Sequence, residues 1–168
     1  VLEGEAFALQ PIQQWFFEQP FANPQHWNQG VVLCLPVNID VAQLMDFMRQ
    51  LLRHHDALRL AVAARGQRYL THVKLSEPAR LDAATLGEGG LQQALTELQA
   101  HMQPAQGRHL AWALIDNLAG GTRGLFIAVH HLAIDAVSWR ILVDDLRRLA
   151  HGEALPAKTS SYRQWGEG

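Results

Sequence analysis

The segment HHLAIDAVSWR, residues 130–140, combines side chains that can carry out chemistry, because two adjacent histidines stand shortly before an aspartate. It directly follows the apolar run GLFIAV, which is typical of a buried strand. Consecutive side chains of a strand point to opposite faces, so His130 and His131 are expected to differ. One ring should have a structural role, and the other should be available for chemistry. Imidazole transfers protons near neutral pH, which makes the available ring a candidate acid or base. A structural role for both rings is the alternative, since most buried histidines only satisfy local hydrogen bonds.

Metal binding and nucleophilic catalysis are competing interpretations of this segment. His131 and Asp135 are four residues apart, the spacing of two ligands on one helix face, but the chain between them is expected to change from strand to helix. No cysteine or clustered HxxEH pattern supplies further ligands, so the sequence predicts no metal site. Ser138 lacks the G-x-S-x-G elbow of a nucleophile, which favours a local hydrogen-bonding role.

A second pair of adjacent histidines, His54 and His55, stands in the segment HHDALR. Its position at the predicted end of a helix favours positive charge, because the helix dipole is negative there. A surface role is therefore expected rather than catalysis.

The elements that would position these residues alternate between short strand-like runs and longer amphipathic helices, which indicates an α/β fold. Helices are predicted over residues 11–19, 40–55, 91–102 and about 136–151. Strands are predicted in WNQGVVLCLP, LRLAVAA, QRYLTHV, HLAWALID and GLFIAVHH, with a hairpin at Arg65 and Gly66. Asp135 is expected to cap the last helix, whose apolar face would pack on the sheet.

Composition narrows the class of protein. The 168 residues are 48% hydrophobic and 18% charged, which fits one ordinary globular domain. A net charge of −2 without a basic stripe argues against nucleic-acid binding, and no apolar run is long enough to cross a membrane. Cys34, the single cysteine, is expected to be buried and cannot form an internal disulfide. Because the start also lacks a signal-peptide pattern, a cytoplasmic location is expected.

Five segments resemble, in order, segments of one superfamily. HHLAIDAVSWRIL resembles the HHxxxDG motif of the condensation and epimerization domains of nonribosomal peptide synthetases, and the others are PIQQWFF, LLRHHDALRL, GRHLAWALID and LPAKTSSYRQW. Three of these stretches resemble epimerization domains more than they resemble chain-elongating condensation domains. They are PIQQWFF, VSWRIL and KTSSYRQW. The resemblance implies a chloramphenicol acetyltransferase-like half domain, an α/β two-layer sandwich whose mixed, largely antiparallel sheet is covered by helices. Residues 1–168 are then expected to be a single N-terminal subdomain without its C-terminal partner, and inactive alone.

The resemblance also implies a reaction for the complete domain. It would convert a carrier-bound L-aminoacyl or peptidyl thioester to the D form by removal and return of the Cα proton, with His131 as the active-site histidine and His130 as its inward-packed neighbour. The alternatives are a condensation domain that forms amide bonds and an inactive module that docks carrier proteins. No cofactor is expected to bind directly, because a peptidyl carrier protein would deliver the substrate on its phosphopantetheine arm. The C-terminal subdomain and neighbouring synthetase domains are the other expected partners.

The residues around the motif are expected to support it. Asp135 is expected to be architectural, and Arg59 resembles the arginine that pairs with this aspartate in the family. Ala136 stands where the family usually has glycine, and alanine is harmless there if the backbone is already helical. The supporting set is completed by Ser138, Trp139 and Arg140. For Arg140 a solvated position and a supporting role both stay open.

Overall fold

Strands and helices alternate along residues 4–167, the part of the chain that the computed structural model describes. The strands are β1 (Ala6–Phe7), β2 (Asn28–Leu35), β3 (Leu60–Ala63), β4 (Gly66–Tyr69), β5 (Ala79–Asp82), β6 (Leu110–Leu118) and β7 (Thr122–His130). The α-helices are α1 (Pro11–Glu18), α2 (Val41–His54), α3 (Ala83–Gln99), α4 (Ala136–Ala150) and α5 (Tyr162–Glu167). Within these residues, no helix combines the length and apolar character that a membrane span requires. The predicted α/β class is confirmed.

A four-stranded sheet in the order β2-β7-β6-β5 carries the HHLAID segment. β2, β7 and β6 pair antiparallel, whereas β5 runs parallel to β6. The sheet is therefore mixed and largely antiparallel, as predicted. Its register places Asn28, the first residue of β2, opposite His130, the last residue of β7. The chain that leads into β2 therefore lies beside the end of β7.

Helices α2 and α4 pack on one face of this sheet. α2 begins at the cap residue Asp40, whose side chain accepts a hydrogen bond from the Gln43 N–H. Its core-facing side chains recur at three- and four-residue steps, and burial of each stabilises the fold by about 1.5 to 3 kcal/mol. They are Leu44, Met48, Leu51 and Leu52. α3 adds helical cover to the opposite face, over β5 and β6.

β2 is covered on one side only. Val31 and Leu33 face the core formed with α2 and α4, whereas Val32 and Cys34 face the side that α3 does not reach. Val32 is 52% exposed and Cys34 is also exposed, so the expectation that Cys34 is buried is wrong. An apolar run in an edge strand does not by itself show that both faces are covered.

A smaller sheet, in the order β1-β4-β3, packs with α1 under the turn that follows His130. The predicted hairpin joins β3 to β4, with Gly66 at φ +147°, a conformation that disfavours any side chain. The buried Gln13 of α1 donates from Nε2 to Gln67 Oε1 of β4 at 2.7 Å, which ties the helix to the sheet. The cluster between them includes Phe16 and Leu132.

The structure differs from the sequence-based prediction mainly around α3. This helix begins at Ala83 rather than 91, because Asp82 accepts hydrogen bonds from the Ala84 and Thr85 N–H groups and caps it. Gly87, at φ +68°, interrupts the helix. Because the segment around it is rich in glycine, the first turn of α3 shows no apolar periodicity in the sequence and was not predicted. β1, β5 and α5 were not predicted. They have two, four and six residues, and segments this short carry a weak periodic signal.

Candidate active site

The two histidines of HHLAID lie at the junction where β7 ends and the turn to α4 begins. The backbone N–H of His130 donates to the His109 carbonyl oxygen at 2.9 Å, and that of His131 donates to the Trp27 carbonyl oxygen at 2.8 Å. The Ala133 N–H donates to the His130 carbonyl oxygen at 2.9 Å and closes the turn. Strand pairing, the segment before β2 and the turn together fix both histidines.

His130 is completely buried, and both of its ring nitrogens are occupied. Nε2 lies 2.9 Å from the Pro24 carbonyl oxygen, which can only accept, so Nε2 carries the hydrogen. Nδ1 accepts from the Leu132 N–H at 3.2 Å. Burial lowers the pKa of His130, which keeps the ring neutral. His130 therefore holds the turn in place and has no nitrogen left for a substrate.

His131 is partly exposed, so the expected difference between the two rings is confirmed. Its Nδ1 lies 2.5 Å from the Ile134 carbonyl oxygen and donates to it. The lone pair of the neutral ring is therefore on Nε2, which takes no hydrogen bond from the described residues. The indole of Trp27 packs against the ring at a centroid distance of 4.6 Å. This arrangement can accept a proton from a substrate.

A cavity of about 270 Å³ adjoins His131. Residues from four other parts of the chain line it with His131 and Ser138, and they are Ile12, Trp27, Ala57 and Tyr162. Burial, and then the charge of Asp135, raise the pKa of Tyr162, so its phenol is protonated at neutral pH. The cavity thus places one imidazole among aromatic and apolar groups, beside a phenol that can donate a hydrogen bond.

Asp135 caps α4, as predicted. Its Oδ1 accepts from the Ser138 N–H at 2.7 Å, one of the helix N–H groups that lack an intrahelical partner. Hydrogen bonds from the Ser138 side chain and backbone lower the pKa of Asp135, so the carboxyl is ionised at neutral pH. The same carboxylate interacts electrostatically with His131. Asp135 therefore combines a structural role with a negative charge near the candidate base.

Comparison with known proteins places this geometry in a family, because a family model described as Condensation domain matches residues 4–168. The chain belongs to the condensation domain family. It is 36% identical over 167 residues to N-(5-amino-5-carboxypentanoyl)-L-cysteinyl-D-valine synthase of Amycolatopsis lactamdurans, covering 99% of this chain and 4% of that protein. It is 35% identical to gramicidin S synthase 1 of Brevibacillus brevis, covering 98% of this chain and 16% of that protein.

Solved structures support the same assignment. The crystal structure of the epimerization domain from the third module of tyrocidine synthetase B superposes with a TM-score of 0.82 at 30% identity. The starter condensation domain of rhizomide synthetase superposes with a TM-score of 0.71 at 18% identity, a likeness of fold alone. This condensation-family chain spans 40% and 43% of those two solved chains. The chloramphenicol acetyltransferase-like fold that the sequence implies is confirmed.

Arg59 does not pair with Asp135 in this condensation-family chain, so the predicted ion pair is wrong. Arg59 Nη2 instead lies 2.9 Å from Asp56 Oδ1, three residues away in the same short turn. Nη1 donates to the carbonyl oxygens of Leu52 at 2.7 Å and Arg53 at 3.0 Å. These carbonyls end α2, where a cation is favoured, whereas the Asp135 carboxylate is committed to the start of α4. Arg59 therefore caps α2.

The other predicted supporting residues lie in the first turns of α4. Ala136 is its first residue and has no positive φ, so the departure from glycine does not strain the backbone. Trp139 is buried in the core against the sheet. Arg140 is exposed and makes no hydrogen bond or ion pair with the residues from 4 to 167, which favours the solvated interpretation. None of these three lines the cavity.

Sequence reasoning missed Trp27, Ile12 and Tyr162 as cavity residues. Ile12 and Tyr162 belong to PIQQWFF and KTSSYRQW, two of the segments that resemble the family, and that resemblance was the available signal. Trp27 reaches His131 only because β2 pairs with β7 in the observed register. No local pattern in the sequence specifies that pairing.

The second pair of histidines lies where α2 ends. His54 is the last residue of α2 and His55 is its C-cap. His55 Nε2 lies 2.7 Å from Oδ2 of Asp145, a side chain of α4 that is only 3% exposed. The expected surface role is therefore wrong for His55, which links α2 to α4.

Proposed function

We propose that this chain contributes the catalytic base to epimerization of a carrier-bound aminoacyl or peptidyl thioester in a nonribosomal peptide synthetase. The observation that carries the proposal is the His131 ring, whose Nδ1 is bonded to the Ile134 carbonyl and whose Nε2 lone pair is free beside a cavity. The higher identity and TM-score with an epimerization domain than with a starter condensation domain also support it.

The chemistry requires removal of the Cα proton. The thioester carbonyl makes this proton more acidic, because the electron pair left on Cα spreads onto the carbonyl oxygen. His131 Nε2 takes the proton and the ring becomes an imidazolium, which the nearby Asp135 carboxylate stabilises. Return of a proton to the opposite face of Cα gives the D product. We propose that the remainder of the complete domain supplies the second proton-handling group and the donors that stabilise the enolate oxygen.

We further propose that the substrate reaches His131 on the phosphopantetheine arm of a peptidyl carrier protein. Trp27, Ile12 and Ala57 give the cavity apolar walls, which suits a thin flexible arm and a substrate side chain better than a highly charged ligand. The C-terminal subdomain and neighbouring synthetase domains are the proposed remaining partners.

Condensation is the second candidate, favoured by the family description. In that reaction His131 would orient or deprotonate the amine of an acceptor substrate as it attacks the donor thioester. The geometry at Nε2 serves both reactions, since each needs an imidazole that can accept a proton.

One assay separates the two. The complete domain is supplied in D₂O with a carrier that holds an L-aminoacyl or peptidyl group, with and without an acceptor-loaded carrier. Epimerization gives D product with deuterium at Cα, and His131→Ala abolishes it, while the matched variant His72→Ala, at an exposed histidine, does not. Amide formation without deuterium at Cα would replace the epimerase proposal with the condensation one.

A further inference from the structure

Two elements bring three potential metal ligands together outside the cavity beside His131, in a neighbouring cavity that shares Ala57 and Tyr162 with it. His54 and His55 stand at the end of α2, and Asp145 is a buried residue of α4. One ligand atom from each of the three side chains lies within 4.8 Å of the others. We propose that these side chains bind a divalent first-row transition metal ion such as Zn²⁺.

The two adjacent histidines converge because the helix ends between them. Consecutive side chains inside an α-helix do not face each other. His55, however, has left the helix at φ −93° and ψ 95°, and its ring lies 4.8 Å from that of His54, centroid to centroid. The end of α2 therefore places both imidazoles on the side of Asp145.

The three side chains keep atoms that can still coordinate a metal ion. Asp145 Oδ2 faces His55 Nε2 at 2.7 Å, and Oδ1 takes no hydrogen bond from the residues that the structure describes. Neither ring nitrogen of His54 has a hydrogen-bond partner within residues 4–167, although its ring is half-buried. A brace between α2 and α4 needs only His55 and Asp145 and does not account for the position of His54.

The donor set selects the class of metal. Two imidazole nitrogens and one carboxylate oxygen match Zn²⁺ and its neighbours and leave a fourth position for water, whereas Ca²⁺ and Mg²⁺ prefer oxygen ligands. Around a tetrahedral Zn²⁺ with bonds of about 2.1 Å, the ligand atoms lie about 3.4 Å apart, so ligand atoms separated by as much as 4.8 Å must approach by roughly 1.4 Å on binding. Movement of His54 breaks no hydrogen bond to a described residue, whereas coordination by His55 Nε2 replaces its hydrogen bond to Asp145 Oδ2.

The surroundings admit an ion. A cavity of about 210 Å³ adjoins the three ligands and is also lined by residues 156–162. Lys158 lines this cavity and is held by Asp56, with its Nζ 2.7 Å from Asp56 Oδ1. Asp56 lies outside the ligand set, and its negative charge offsets part of the Lys158 charge near His54.

The test begins with metal-free protein. Titration with Zn²⁺, followed by calorimetry, and with Co²⁺, followed by its visible absorption bands, is expected to show one site. Replacement of a metal ligand should weaken binding at least as much as loss of an outer-shell partner, that is by about tenfold or more. We expect this loss in His54→Ala and in Asp145→Asn, and unchanged affinity in His72→Ala and His131→Ala.

A thermal measurement separates a metal site from a brace. Zn²⁺ at about 100 times its dissociation constant should raise the Tm by roughly 5 °C or more in the parent and in His72→Ala, but not in His54→Ala. The metal-free Tm of His54→Ala should equal that of the parent, because His54 is not part of the brace. Absence of binding in the parent, retention of full affinity in His54→Ala, or loss of the site in His131→Ala would each overturn the proposal.

Discussion

The two pairs of adjacent histidines, His130–His131 and His54–His55, look alike in the sequence and differ in what their rings bond. At the end of β7, backbone carbonyls hold both rings, which fixes the position of each hydrogen and leaves His131 Nε2 as a base. At the end of α2, His55 faces the carboxylate of Asp145, and His54 has no hydrogen-bond partner among the described residues. A carbonyl only orients a neutral imidazole, whereas a buried carboxylate brings a charge that attracts a cation. The partner of the ring, rather than adjacency, therefore separates the two pairs.

The largest effect is expected at the proposed base. His131→Ala in the complete domain should lower the rate of Cα proton exchange by about 10²- to 10⁴-fold, because it removes the proton acceptor. The rate is measured from deuterium incorporation into the carrier-bound substrate. His72→Ala is the matched control, and exchange that survives in His131→Ala would assign catalysis to another group.

The inner ring of the same pair should matter for stability. His130→Ala should lower the free energy of unfolding by about 3 to 5 kcal/mol, because it opens a cavity and leaves the Pro24 carbonyl and the Leu132 N–H without their partner. Urea unfolding of the purified chain measures this quantity. A loss below about 1 kcal/mol would show that the turn does not depend on the ring.

Acid should destabilise the fold through His109, a buried histidine directly before β6. Burial lowers the pKa of His109 to about 4, from 6.5, so between these values the unfolded chain binds a proton that the folded chain does not. The free energy of unfolding should therefore fall by about 3 kcal/mol from this group as the pH drops from about 6.5 to about 4.

Urea unfolding at several pH values in the parent and in His109→Phe measures this contribution, because only the parent carries the titrating ring. The difference between the two slopes is the readout, since the substitution also changes stability at neutral pH. Equal slopes would show that His109 is protonated in the folded state.

The smallest effect is expected at the end of α2. Asp145→Asn should lower the free energy of unfolding of the metal-free chain by about 1 to 2 kcal/mol, because a charged hydrogen bond to His55 becomes a neutral one. His54→Ala should change it by less than about 0.5 kcal/mol, since no described residue hydrogen bonds to that ring. Equal losses in these two variants, measured by urea unfolding, would mean that both histidines brace the helices.

Local signals predicted the parts of the site that depend on neighbouring residues. Asp135 was recognisable as a helix cap, and expected strand alternation predicted that His130 and His131 differ, because both inferences involve only a few consecutive positions. In the structure β7 ends at His130, so the difference comes from the turn rather than from alternation. The fold class and family followed from the order of strands, helices and motifs. Catalysis by His131 stays a prediction that the assays above test.

Long-range contacts were the parts that the sequence did not predict. His55 and Asp145 are 90 positions apart, and their contact depends on how α2 crosses α4. Arg59 was assigned the wrong carboxylate because residue types alone cannot show that Asp56 lies in the same turn and within reach. The exposure of Cys34 depends on how far α3 extends across the sheet.

The hydrogen bonds of the HHLAID turn have a spectroscopic consequence. His130 carries its ring hydrogen on Nε2 and His131 carries its own on Nδ1, so two consecutive residues hold opposite tautomers. Nitrogen NMR distinguishes these tautomers, since protonated and unprotonated ring nitrogens resonate far apart. His130, sealed from solvent, then serves as an internal reference, and His131 reports in the same spectrum on whatever enters the cavity beside it.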